Sequence, residues 1–150
     1  MQQALESKIM QNIAQHILKE SKTIAVVGLS PSPDRPSHDV ARYLQAQGYR
    51  IVPINPSMHG RPILGEMCFA SLREAASALA PQGVQIDLVD CFRKSDDIPP
   101  LAEDAIAIGA RFLWLQLGVR HDDAARRAQA AGLLVVQDEC TKVVHRRMSA

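Results

Sequence analysis

Hydrophobic positions recur along this chain in two alternating rhythms. Leu5, Ile9, Ile13 and Ile17 stand four residues apart, with Met10 and Leu18 beside them and polar residues between. That spacing predicts an amphipathic helix over residues 1–21 whose apolar stripe packs onto the rest of the chain. Thr23 to Val27 is short and rich in β-branched residues, and reads as a strand buried on both faces, the habit of a parallel sheet. Ser37 then reads as the N-cap of a helix of about three turns that carries Val40, Ala41 and Leu44 and ends at Gly48.

The alternation continues to the C-terminus. Tyr49 to Ile54 predicts the second strand, and Met67 to Phe69 a short edge strand. Ser71-x-x-Glu74 predicts a capping box at the head of a helix that runs to Pro81. Strands at Ile86 to Phe92, Phe112 to Leu117 and Leu133 to Val136 are separated by a helix with Pro99 and Pro100 in its first turn, closed by Gly109, and another from Asp122 to Ala131. Thr141 to Arg147 suits a short basic helix. Strands alternating with helices predict an α/β, three-layer, doubly wound parallel sheet of five to six strands with an extra N-terminal helix. Every strand's C-terminal end then lies on one edge.

Composition narrows the partners. The chain has 150 residues, of which 47% are hydrophobic and 22% charged, as expected of one core-bearing domain over residues 22–150 with the N-terminal helix packed on it. Its formal charge is +1, so no global field draws it to nucleic acid or to an anionic membrane, and any anion site must be local. Cys68, Cys91 and Cys140 are odd in number and contain no Cys-x-x-Cys, which argues against a disulfide framework and a structural zinc site. Charges interrupt the N-terminal stretch, which reads as neither signal peptide nor membrane span. A reducing cytoplasm is the expected location.

Candidate chemistry lies where strands end. The first strand stops at Gly28 and feeds the next helix through a loop of Ser, Pro, Asp and Arg. A glycine admits a ligand close to the backbone, and a helix N-terminus favours an anion, so this is a candidate phosphate turn. The alternative is a solvent-exposed connection built of turn residues. Of the dinucleotide fingerprint Gly-x-Gly-x-x-Gly only Gly28 is kept, and Asn55-Pro56 stands where an acidic residue would hold the ribose of NAD. A neutral amide tolerates a phosphate on the ribose, which leaves NADP and coenzyme A.

The stretches IAVVGLS with Asp34-Arg35-Pro36-Ser37, GYRIVPINP, LVDCFR, FLWLQLGV and AAGLLVVQDECTKVVH resemble, in order and spacing, the small CoA-binding protein family, related to the CoA-binding domain of the succinyl-CoA synthetase α subunit. The resemblance runs from Lys22 to His145. It implies a Rossmann-like fold that binds coenzyme A or an acyl-CoA. It also implies that Gly28, Leu29 and Ser30 lie against the phosphates with Arg35 as charged partner and Ser37 at the same turn. Asn55 and Pro56 would lie by the ribose, Phe92 and Arg93 along the wall, and Gln116, Leu117 and Gly118 on the far side. The chain departs from the family pattern at Glu139, where a basic residue is usual, and at Val144, where a Glu is usual.

No catalytic residue or metal site is expected. Cys140, between Asp138 and Lys142, is the one tempting nucleophile, but a Cys just past a buried strand reads as packed and inert. His16, His38, His59, His121 and His145 form no pair at metal-ligand spacing, although His38 is placed to face either a phosphate or solvent. Trp114 reads as core, and Arg126, Arg127, Arg146 and Arg147 as a solvated face and tail. The expected activity is non-catalytic CoA binding, by a module that senses CoA, carries it, or serves an unidentified protein partner. Two rivals stand: an NADP-dependent oxidoreductase, for which no residues of a nicotinamide pocket or hydride site are found, and an interaction protein with a vestigial cleft.

Overall fold

The structure, a computed structural model, describes residues 1–149. Seven strands and six α-helices follow one another: α1 (Gln2–Glu20), β1 (Thr23–Val27), α2 (Pro36–Ala46), β2 (Arg50–Ile54), β3 (Pro62–Ile63), β4 (Glu66–Met67), α3 (Leu72–Leu79), β5 (Leu88–Cys91), α4 (Ile98–Ala107), β6 (Phe112–Leu115), α5 (Asp122–Ala130), β7 (Leu134–Val136) and α6 (Thr141–Ser149). Five of the strands form a parallel sheet in the order β2-β1-β5-β6-β7.

Strand periodicity divides the core into two layers. Ala25, Val27, Val89, Cys91, Leu113 and Leu115 point to the face covered by α3, α4 and α5, whereas Ile24, Val26, Leu88, Phe112 and Trp114 point to the face covered by α1, α2 and α6. Successive residues alternate sides because the side-chain period of a strand is two. Both faces are apolar because both are covered, which is why the strands read as continuous hydrophobic runs. Trp114 is fully buried, and its indole N–H donates to the Glu139 carbonyl at 2.8 Å.

The sheet order fixes where the site must lie. From β1 the chain passes through α2 to β2 on one side, then crosses back through α3 on the opposite face to reach β5 on the other side of β1. The winding direction reverses between β1 and β5, and the helices diverge there, opening a crevice at the carboxyl ends of these two strands.

Four local expectations are corrected. Ser37 is not the N-cap of α2: Arg35 occupies that position, with Pro36 next, and the Ser37 hydroxyl accepts a hydrogen bond from the Ser30 N–H at 2.9 Å. Met67 to Phe69 is not an edge strand of the sheet; β3 and β4 pair antiparallel as a separate ribbon, and Phe69 makes only an isolated bridge to Ile54. The capping box at α3 is half formed, since Ser71 Oγ accepts from the Glu74 N–H while the Glu74 carboxylate goes to His59 at 2.7 Å. In α1 only Ala14, Ile17 and Leu18 are buried. Leu5 and Ile9 are 59% and 48% exposed.

Candidate functional site

Gly28 ends β1 with φ +84°, a conformation that L side chains avoid. Its N–H donates to the Ile54 carbonyl at 2.8 Å, and the Phe92 N–H donates to the Val27 carbonyl at 2.9 Å, so the loops after β1, β2 and β5 are tied together at their roots. A Cβ on Gly28 would collide with the Phe92 carbonyl oxygen. The glycine therefore serves chain-to-chain packing at the switch point as well as access from outside.

The turn after Gly28 holds itself in shape. Ser30 N–H donates to Ser37 Oγ, Ser32 N–H donates to Ser30 Oγ at 3.1 Å, and His38 Nδ1–H donates to the Ser30 carbonyl at 2.9 Å. His38 is thereby a buried brace for the loop rather than a group facing solvent. These bonds consume loop amides that a phosphate nest would need, so the positive character of the site comes chiefly from side chains. Arg35, at the head of α2, and Lys94, after β5, make no ion pair among the described residues, while Arg93 stands 3.7 Å from Asp97 across solvent. An exposed pair at that distance holds little energy and leaves Arg93 available.

These groups line one cleft of about 690 Å³ at the switch point. Of the residues expected from sequence, Gly28, Ser30, Arg35, Ser37, Phe92, Arg93, Gln116 and Leu117 meet there. Leu29 does not, being fully buried with its side chain in the core. Asn55 lies outside it too: its Nδ2 donates to the Leu29 carbonyl at 3.0 Å and its Oδ1 accepts from the Ser57 N–H and hydroxyl, so the amide clamps the β1 and β2 loops to each other. Pro56 faces a neighbouring, smaller cavity with Gly28 and Arg93, and the Gly118 N–H is held by Asp138 Oδ1 at 2.7 Å away from the cleft. Pro36, Val40, Lys94, Val119 and Cys140 line the cleft as well; Pro36, Lys94 and Val119 lie in the stretches that follow β1, β5 and β6, whereas Val40 and Cys140 do not. Lys94 directly follows the expected pair Phe92-Arg93, but nothing in a linear sequence brings Val40 of α2 to Val119 and Cys140.

Cys140 is half-buried on this cleft, immediately ahead of α6, whereas Cys68 and Cys91 are fully buried. Burial pushes both buried thiols upward and away from the reactive thiolate form. Among the three, Cys140 is expected to be the thiol labelled by a maleimide in the folded protein. Peptide mapping after brief labelling checks this, and equal labelling of Cys91 would refute the placement.

Behind the cleft, Asp90 is completely buried, and loss of hydration pushes its carboxyl up to about 7 against hydrogen bonds from Gln116 and Thr141 that pull it down. On the other side of α6, Lys142 reaches Asp39 of α2 at 2.8 Å and holds that carboxyl below its ordinary value. The Tyr43 hydroxyl and His145 Nδ1 are hydrogen-bonded at 2.8 Å, and burial keeps this imidazole below its ordinary value. Both ties bind the tail helix to the helix that begins at the cleft. Val144 is buried in the core.

Among the described residues, no group of His, Cys, Asp and Glu could hold a metal ion, and no helix is long and apolar enough to cross a membrane.

Residues 22–146 match the family described as CoA binding domain. The chain belongs to that family. One relative, the uncharacterized protein YneT of Bacillus subtilis, is 39% identical over 129 residues, covering 86% of this chain and 89% of its own. Two solved structures share the fold of this CoA-binding domain. The cell-free ID.343 protein from Thermus thermophilus is 34% identical with a TM-score of 0.80, over 92% of this chain and 98% of that one. A hypothetical protein from Pyrococcus horikoshii OT3 is 31% identical with a TM-score of 0.80, over 93% and 92%. The Rossmann-like architecture expected from the sequence is thus that of the family, and the family match spans the whole sheet and leaves α1 outside it.

Proposed function

We propose that this protein binds coenzyme A or an acyl-CoA in the cleft at the β1/β5 switch point, as a binding module without turnover of its own. The observation that carries the reading is the charge of the lining: Arg35, Arg93 and Lys94 converge on one cleft that has no carboxylate in its wall. Such a wall suits a ligand with several phosphates, and the apolar remainder, Val40, Phe92, Leu117 and Val119, suits the uncharged part of a long cofactor. Family membership favours coenzyme A over other polyphosphates. The three unpaired thiols agree with a reducing compartment such as the cytoplasm.

Arg35 is the side chain best placed to grip a phosphate with two N–H groups at once. It is exposed, so the lower end of the range for a charged hydrogen bond applies. Arg35→Ala is expected to weaken coenzyme A by about 1.5 kcal/mol, roughly tenfold in affinity. Titration calorimetry on the two proteins measures this, and equal affinities would remove Arg35 from the site. A thermal-shift comparison of coenzyme A, dephospho-coenzyme A, NADP and NAD tests the reading as a whole. A ligand at 100 times its dissociation constant raises stability by about 2.7 kcal/mol. Stabilisation by NADP alone would transfer the site to a dinucleotide, and no stabilisation by any of the four would favour the vestigial cleft.

A further inference from the structure

The side-chain amide of Gln116 is fixed in one orientation by a closed triangle of hydrogen bonds behind the cleft. Its Nε2 donates to Asp90 Oδ1 at 2.7 Å and to Thr141 Oγ1 at 2.8 Å, and the Thr141 hydroxyl donates to Asp90 Oδ2 at 3.2 Å. Asp90 and Thr141 have no exposed surface, and Gln116 is 3% exposed. An amide nitrogen has two N–H groups, and the triangle uses both. With Asp90 ionised, turning the amide over would set Oε1 against the carboxylate and the Thr141 oxygen and take both N–H donors out of the triangle. Oε1 therefore faces away from the triangle.

That oxygen receives no hydrogen bond among the described residues, yet no buried side-chain oxygen or nitrogen there lacks a partner. Oε1 must then be open, and the surface Gln116 contributes to is the cleft. A polar atom on a side chain otherwise withdrawn from water is suited to a donor brought by the ligand.

Position along the sheet edge selects the donor. The phosphate-compatible cations follow β1 and β5, whereas Gln116 follows β6, on the far side of β5 from β1. In doubly wound sheets the adenosine lies toward the β2 side of the phosphate turn, so a ligand that continues past the turn sends its other end over the strands on the opposite side. In coenzyme A that end is the pantetheine arm, whose uncharged chain carries two amide N–H groups. The lining beside Gln116, Leu117 with Val119 and Cys140, is uncharged as well.

We infer that Gln116 is a specificity-determining residue whose Oε1 accepts a hydrogen bond from an amide N–H of the pantetheine arm, with Asp90 and Thr141 as the positioning residues that keep this oxygen turned outward. The inference rests on coenzyme A binding in this cleft and adds which part of the cofactor is read, and by which atom. It distinguishes a ligand with the amide arm from one that offers only the phosphorylated nucleoside.

Calorimetry with four probes tests it on the intact chain: coenzyme A, adenosine 3′,5′-bisphosphate, and two coenzyme A analogues in which one or the other arm amide is replaced by an ester. The unaltered protein is expected to bind one of the two analogues about tenfold more weakly than coenzyme A. Gln116→Met, which keeps the length and drops the acceptor, should bind that analogue and coenzyme A equally while keeping its affinity for the bisphosphate. Both analogues matching coenzyme A on the unaltered protein would overturn the inference without any variant having to fold. So would discrimination that persists in Gln116→Met. If the unaltered protein binds neither coenzyme A nor the bisphosphate, the cleft reading falls and this inference falls with it. If it binds both and ignores the amides, only this inference falls.

Discussion

Replacing Gly28 by alanine is expected to destabilise the folded chain by roughly 2–5 kcal/mol and to abolish measurable coenzyme A binding. Two costs combine. The residue holds φ +84°, where a side chain is strained, and the new Cβ would stand far inside contact distance of the Phe92 carbonyl oxygen and 3.1 Å from Arg93 Cδ. Arg93 can swing away. The carbonyl cannot, because the Phe92 N–H is held by Val27 at 2.9 Å where β1 and β5 run side by side. Gly60 supplies the control: its φ is +78°, but a Cβ there meets nothing within 4 Å. Gly60→Ala should therefore show the backbone strain alone, about 1–3 kcal/mol. Urea unfolding of the two variants separates the terms, and a Gly28→Ala midpoint no lower than that of Gly60→Ala would refute the packing role.

The second large effect is on the pH dependence of stability and belongs to Asp90. Its carboxyl is pushed up to about 7 in the folded chain from an ordinary value of 3.8, the dominant cause being loss of hydration. Between those values the folded state keeps a proton that the unfolded state has released, so stability falls as pH rises from about 4 to about 7 and is flat in this respect above. The total is roughly 3–4 kcal/mol. Asp39 works the other way, since its carboxyl is held low by Lys142 and its contribution is lost as pH falls. The comparison must therefore be with Asp90→Asn, which shares that background. Asp90→Asn can still accept from Gln116 and has no charge to desolvate. It is expected to gain stability on the unaltered protein by the stated amount between pH 4.5 and pH 8. Urea unfolding at the two pH values measures the gain, and a constant difference between the proteins would show that Asp90 is ionised or neutral in both states alike.

Strand and helix positions were legible because burial on both sheet faces leaves a plain mark: Thr23–Val27 and Phe112–Leu115 are apolar at every position but one, and helices of polar and apolar mixture separate them. Where the sequence misled, a side chain had a better partner out of sight. Ser37 has the chemistry of an N-cap, but the Ser30 amide reaches it first. Glu74 has the chemistry of a capping box, but His59 draws its carboxylate away. Asn55, which the resemblance puts by a ribose, also fastens one loop to another. The N-terminal stripe promised a buried face along its length, yet only its last turns rest on the sheet.

What the sequence determined by itself was the list of strand ends: which residues follow β1, β5 and β6, and that Gly28, Arg35, Phe92, Arg93 and Gln116 are among them. Periodicity carries this, since it depends only on neighbours a few residues apart. What the tertiary structure alone decided was which of those residues share a cleft and how each is turned. The reversal of sheet order between β1 and β5 opens the crevice and brings Val40 and Cys140 to it, and that order is a property of long-range pairing. The orientation of Gln116 depends on Asp90, 26 residues earlier, and Thr141, 25 residues later. Hydrogen bonds between groups that far apart in sequence leave no periodic trace along the chain, so only the folded arrangement shows that an amide at a strand end presents its oxygen to the ligand.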